Sequence, residues 1–154
     1  MDGSTVSANT AEYGGGIANY GTLNVQNDST IGGAGAGNTA YDGGGIYNAT
    51  GTTTVDGSTV SANTANSYGG GVFNNKDVAG GTSVTSSCIV GNSATSFFNN
   101  QPAQQIATGN WWGAATGPNN PGADTVLGNV DTSGYLTEPI PVCGFYVYLP
   151  LALK

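Results

Sequence analysis

Apolar residues in this chain come singly or in short runs, alternate with polar or small residues, and return at regular places. Ser4-Thr5-Val6 comes back as Ser29-Thr30-Ile31, Ser58-Thr59-Val60 and Ser87-Cys88-Ile89. Asn9-Thr10-Ala11 comes back at Asn38, Asn63 and Asn92. A glycine triplet followed by Ile or Val, any residue and Asn occurs three times, placing Ile17, Ile46 and Val72 beside Asn19, Asn48 and Asn74. The decapeptide Asp2–Ala11 recurs unchanged as Asp56–Ala65, 54 residues on. Two units fill that interval, so the mean period is about 27 residues. Alternation with period two predicts strands, and each piece is too short for a helix. Asn and Gly between the pieces accept left-handed backbone at little cost and predict corners.

A unit with three short strands and three corners predicts a three-sided coil. Each coil pairs in parallel with the next, about 4.8 Å further along the axis. Equal positions in successive coils then form columns. Val6, Ile31, Val60 and Ile89 make one inward apolar column, and Ile17, Ile46 and Val72 a second. Asn9, Asn38, Asn63 and Asn92 make one side-chain amide ladder, and Asn19, Asn48 and Asn74 another. An amide both donates and accepts, so such a column can bond to itself and to the turn backbone. Repeat positions in solenoids serve stacking first.

Composition narrows the functions. Of 154 residues, 7% are charged, against about 25% in average proteins. The only basic residues are Lys76 and Lys154, there is no His, and the net charge is −7. Nothing here could neutralise a run of phosphates, so nucleic acid is excluded as a partner. Chemistry that needs His is excluded as well. With 38% hydrophobic residues and eight Tyr, the chain does not have the composition of a disordered segment.

The run GGGIANYGTLNV, followed by STI, NTA and GGGIYN, resembles the right-handed parallel β-helix repeats of secreted bacterial surface proteins. That group includes the polymorphic outer-membrane-protein repeat and the pectate-lyase-like β-helices. Asn110-Trp111-Trp112-Gly113, with Gly117-Pro118 and Asn129-Val130-Asp131, resembles the closing coil of such proteins. The Tyr148-Leu149-Pro150-Leu151 run resembles the C-terminal tail of some of them. The resemblance implies an all-β, right-handed parallel β-helix of about four coils. Its parts would be coils over residues 1–109, a closing coil and linker over 110–143, and an apolar strand over 144–154. It also implies an extracellular or cell-surface location.

Enzymes of this fold that act on acidic polysaccharides need clustered carboxylates and a cation that stabilises developing negative charge. Asp2, Asp28 and Asp56 are expected at one corner, and Glu12 with Asp42 at another, which would make at most a weak cation site. Asp is also an ordinary turn former, and without Arg or His no catalytic set can be completed. The glycine triplets lack the Lys-Ser/Thr and helix of a phosphate loop. Trp111 and Trp112 could stack on sugars, but in a closing coil they are expected as plugs over the apolar end. A row of Thr5, Thr30 and Thr59 is interrupted by Cys88. No catalytic residue, metal or cofactor is assigned, and the chain is expected not to be an enzyme.

The two ends carry the remaining signal. Met1 aligns with Val55, an inward position in mid-coil, which predicts that the natural chain extends upstream and carries a secretion signal there. In the tail, Phe145, Val147, Leu149, Leu151 and Leu153 share one face of a strand. That strand is expected on its own solenoid or donated to a neighbour, and it is too short to cross a membrane as a helix. Cys88 and Cys143 suggest one disulfide pinning the tail to the coils, a free thiol at Cys88 or an intermolecular bridge being the alternatives. The expected function is structural: a subunit of a surface fibre built by end-to-end stacking of the chain on itself. A module of a longer surface adhesin, or a degenerate lyase-like module binding surface glycans, is the alternative.

Overall fold

Parallel stacking in register ties each sequence repeat to one turn of the structure. In the computed structural model, which describes residues 1–75 and 80–144, the chain is a parallel β-solenoid of about 4 turns with 37% strand and 2% helix. Three sheets run along the axis. The first face stacks Thr5–Val6, Thr30–Gly32, Thr59–Ser61 and Cys88–Val90. The second stacks Ile17–Asn19, Ile46–Asn48, Val72–Asn74, Phe97–Asn99 and Val126–Leu127. The third stacks Thr22–Val25, Thr52–Asp56, Thr82–Thr85, Gln105–Ile106 and Val130–Asp131. A small two-stranded sheet of Thr39–Ala40 and Thr64–Ala65 lies between the first and second faces.

The register puts like on like. Val6 pairs with Ile31, Ile31 with Val60 and Val60 with Ile89. Ile17 pairs with Ile46, Ile46 with Val72 and Val72 with Phe97. The core holds a third inward column, Val25, Val55 and Val84, with Ala107 beyond it, all essentially without exposure. Beside that column Thr53 and Thr82 also point inward and are buried, although Thr is a surface residue by composition.

The corners explain the small residues. Gly3, Asp28, Gly57, Ser86 and Gly109 all have φ between 49° and 66° and stand just before Ser4, Ser29, Ser58, Ser87 and Asn110. Asp28 therefore occupies the left-handed place that Gly3 and Gly57 hold, and does not sit over Asp2 and Asp56. Asp2 bridges to Gln26 instead. The expected three-Asp corner fails because Asp28 lies one residue before its Ser, whereas Asp2 and Asp56 lie two before theirs. Glu12 and Asp42 are also out of register, since Asp42 pairs with Tyr13. Asp2-Gly3, Asp42-Gly43 and Asp56-Gly57, a pairing that elsewhere makes hairpins, here turn the chain between parallel strands.

The glycine triplets serve close approach. A Cβ on Gly44 would lie 2.4 Å from the Thr64 carbonyl oxygen and 2.6 Å from that of Gly70, and one on Gly15 would meet Thr39 and Gly44 in the same way. Successive coils touch backbone to backbone at this corner. That contact brings the outward rings of the second face together. Tyr47 and Phe73 stack at 5.1 Å between ring centroids, with Tyr13 at 5.2 Å from Tyr47 and Phe98 at 5.3 Å from Phe73. Along this row Phe73 is buried between its neighbours, while Tyr13 at the N-terminal end stays exposed.

Candidate functional site: the two ends of the coil stack

Two side-chain ladders run between the ends of the stack, and both have a direction. In the first, Asn9 Nδ2 donates to Asn38 Oδ1 (3.0 Å), Asn38 Nδ2 to Asn63 Oδ1 (2.9 Å) and Asn63 Nδ2 to Asn92 Oδ1 (3.0 Å). The second hydrogen of each later amide reaches back one coil to the carbonyl of a core residue. Asn38 donates to Val6, Asn63 to Ile31 and Asn92 to Val60, at 2.9 to 3.0 Å. In the second ladder Asn19, Asn48, Asn74 and Asn99 are joined in the same sense at 3.0 Å. The buried Thr hydroxyls complete it, Thr53 Oγ1 accepting from Asn19 and Thr82 Oγ1 from Asn48. Every ladder amide oxygen and nitrogen inside the stack thus has a hydrogen-bond partner, as burial of polar groups requires.

The C-terminal end is closed. Trp112 follows Val6, Ile31, Val60 and Ile89 as the last side chain of the first inward column, fully buried, and Trp111 bridges to Cys88 on the outer side of the same strand. Both indole N–H groups are buried without a partner among the described residues, a polar cost of ending the core with large rings. The first ladder ends on a carboxylate. Asp124 Oδ2 accepts from Asn92 Nδ2 (3.1 Å) and from the Asn92 backbone N–H (3.2 Å), and Oδ1 accepts from Gly91 N–H (2.9 Å). A carboxylate accepts without donating, so it stops a chain of amide donors.

Burial pushes the Asp124 carboxyl up from the usual carboxylate range, against the hydrogen bonds from Ser96, Asn92 and Gly91 that act to lower it. The folded chain therefore holds this proton more tightly than the unfolded chain. That contribution to stability is complete below the ordinary carboxylate pKa and is lost as pH rises through the raised value. Asp124→Asn removes it. The stability advantage of the natural chain over this variant is expected to shrink as pH rises from acid to neutral, measured as the difference in urea midpoints across that range. An advantage that grows with pH contradicts the assignment.

From the closing coil the chain returns along the outside of the first face. Leu136 N–H donates to the Asn110 carbonyl (2.9 Å), Cys143 is bonded to Cys88, and Thr59 Oγ1 donates to the Val142 carbonyl (2.6 Å). Pro141, Val142 and Gly144 come up beside Asp28 of the second coil. This strap covers part of the outward Thr row and runs toward the N-terminal coil. The tail strand, with Phe145, Val147, Leu149, Leu151 and Leu153, lies outside the described residues, as do Lys76 and Lys154.

Compared with protein families, with curated proteins and with solved structures, the chain matches none of them. Among the described residues no group of three His, Cys, Asp or Glu could hold a metal ion. Among them, too, no helix is long and apolar enough to cross a membrane.

The N-terminal end is open. Met1, Ile17 and Leu23 pack against the core but stay partly exposed, while the residues above them in the next coils are buried. Asn9 is exposed, and its second amide hydrogen turns to the Ser7 carbonyl (2.9 Å). Its Oδ1 accepts no hydrogen bond from the described residues. The repeat pattern in the sequence leads to Asn9, Asn38, Asn63 and Asn92. It does not lead to Asp124, which has no repeat signature, or to Asn99, whose glycine triplet is replaced by Ala94-Thr95-Ser96.

Proposed function

We propose that the chain is a non-enzymatic structural protein of an extracellular surface, a short rigid solenoid joined to a larger assembly through the open edge of its first coil. The observation that carries this reading is the difference between its ends: a ladder acceptor left free at Asn9, and a carboxylate, two Trp rings and a disulfide strap at the other end. The disulfide supports an oxidising location. Direct head-to-tail stacking of copies would set Asp124 of one beneath Asn9 of the next. An ionised Asp124 has no hydrogen to give to Asn9 Oδ1, so two acceptors would then face each other. An open-ended fibre needs complementary ends, and an ionised Asp124 does not supply the donor that Asn9 Oδ1 lacks. The chain fits better as the end module of a longer surface solenoid.

Electron microscopy of native material, with an antibody to the closing coil, tests this. The label is expected at one tip of elongated particles. Long filaments made of this chain alone, labelled at every subunit, would restore the head-to-tail fibre. A soluble, unattached monomer at the native source would remove the structural reading.

A further inference from the structure

We propose that the N-terminal face of the first coil is a docking site for one further parallel coil of this same repeat. The inference rests on reading the chain as an end module, and names what the module docks to. The internal duplication supplies the template. Residues 2–11 and 56–65 are identical in sequence, but only the second copy has a coil on each side.

In that copy Thr59 N–H donates to the Ser29 carbonyl (2.8 Å) and Thr64 N–H to that of Asn38 (2.8 Å). Asn63 Oδ1 takes the Asn38 N–H (3.0 Å) and its Nδ2 (2.9 Å), and Asn63 Nδ2 reaches the Ile31 carbonyl (2.9 Å). Thr5, Thr10 and Asn9 hold the same places in the first coil. An occupant that satisfies them must present a Ser carbonyl to Thr5, an Asn carbonyl to Thr10, an Asn side-chain amide to Asn9 Oδ1, and a core-residue carbonyl to Asn9 Nδ2. A preceding coil of this repeat offers all four at once, together with an apolar residue to cover Val6 and Ile17. A second copy approaching with its own N-terminal face runs its strands the other way and so cannot offer the parallel register that the Asp56–Ala65 copy shows.

The test supplies that coil covalently. Residues 27–55 are duplicated ahead of Asp2 in place of Met1, so the new junction reads Val-Asp-Gly as it does at Val55-Asp56-Gly57. Amide hydrogen exchange is followed at Thr5 and Thr10, with Thr59 and Thr64 as internal references for the folded stack. In the fused chain exchange at Thr5 and Thr10 is expected to slow by about a hundredfold, toward the rates of Thr59 and Thr64. Unchanged exchange at Thr5 and Thr10 overturns the proposal, as does loss of protection at Thr59 and Thr64. Strong protection of Thr5 and Thr10 already present in the unfused chain also overturns it: protection lost on dilution would identify a second copy, and protection that persists would identify a segment of the same chain. Acceptance of the coil with native material unassembled would remove the end-module reading alone. Refusal with native material assembled would remove this inference alone.

Discussion

Replacing Asn63 by Ala is expected to cost the fold about 3–4 kcal/mol, because several buried polar groups lose their partners together. Asn63 is without exposure. Its Oδ1 holds both the backbone N–H and the side-chain amide of Asn38, and its Nδ2 holds the Ile31 carbonyl and Asn92 Oδ1. Ala leaves the Asn38 N–H buried and unpaired, takes one donor from the Ile31 carbonyl, and interrupts the ladder in the middle. The same change at Asn9 removes equivalent atoms at an exposed position where water replaces them, and is expected to cost less than about 1 kcal/mol. Urea unfolding of both variants with the disulfide intact measures the contrast. Equal costs at the two positions would show that the ladder does not gain its strength from burial.

Removing the Cys88–Cys143 bond is expected to cost a similar amount by a different route. The bridge joins residues 55 apart in sequence, with Cα atoms 5.3 Å apart. Opening such a loop returns about 4 kcal/mol of chain entropy to the unfolded state. The native contacts change less, because Cys88 is already packed in the fourth coil beneath Trp111. The double variant Cys88→Ala/Cys143→Ala is therefore expected to keep its coils and ladders while its thermal midpoint falls well below that of the oxidised chain. The Thr59 hydroxyl is expected to lose Val142 as the strap lifts. Calorimetry with and without reductant checks the first, and exchange or proteolysis across residues 132–144 checks the second. A midpoint insensitive to reductant would mean that the strap is held by other contacts.

The two effects separate the parts of the molecule. The ladder acts within the folded stack and is felt wherever coil meets coil. The disulfide acts on the unfolded chain and on one strap. The Asp124 contribution falls between them, since it depends on how far the end of the ladder is withdrawn from water, and it alone changes with pH in the acid range.

What could be read from the sequence follows from the repeat. A parallel stack in register converts a sequence period into columns, so Val6, Ile31, Val60 and Ile89, or Asn9, Asn38, Asn63 and Asn92, can be aligned without knowing the coil's exact shape. The third inward column was less visible. Val25, Val55 and Val84 lie among Thr and Asn, with corners of unequal length between them, and the inward Thr53 and Thr82 look like surface residues until the second Asn ladder is seen to need their hydroxyls. The Asp28 corner was misplaced for a related reason: a shift of one residue moves a side chain from one corner position to the next, and composition does not show such a shift.

The sequence by itself determined the coil, its parallel stacking and the identity of the stacked residues, because these depend on local alternation and on repetition. Only the tertiary structure decided how the stack ends. Asp124 terminates the ladder, Trp112 tops the core column, and the strap crosses back over the first face. Each of these is a single event with no second copy to align with, and each depends on which groups are left unsatisfied once the regular coils are in place.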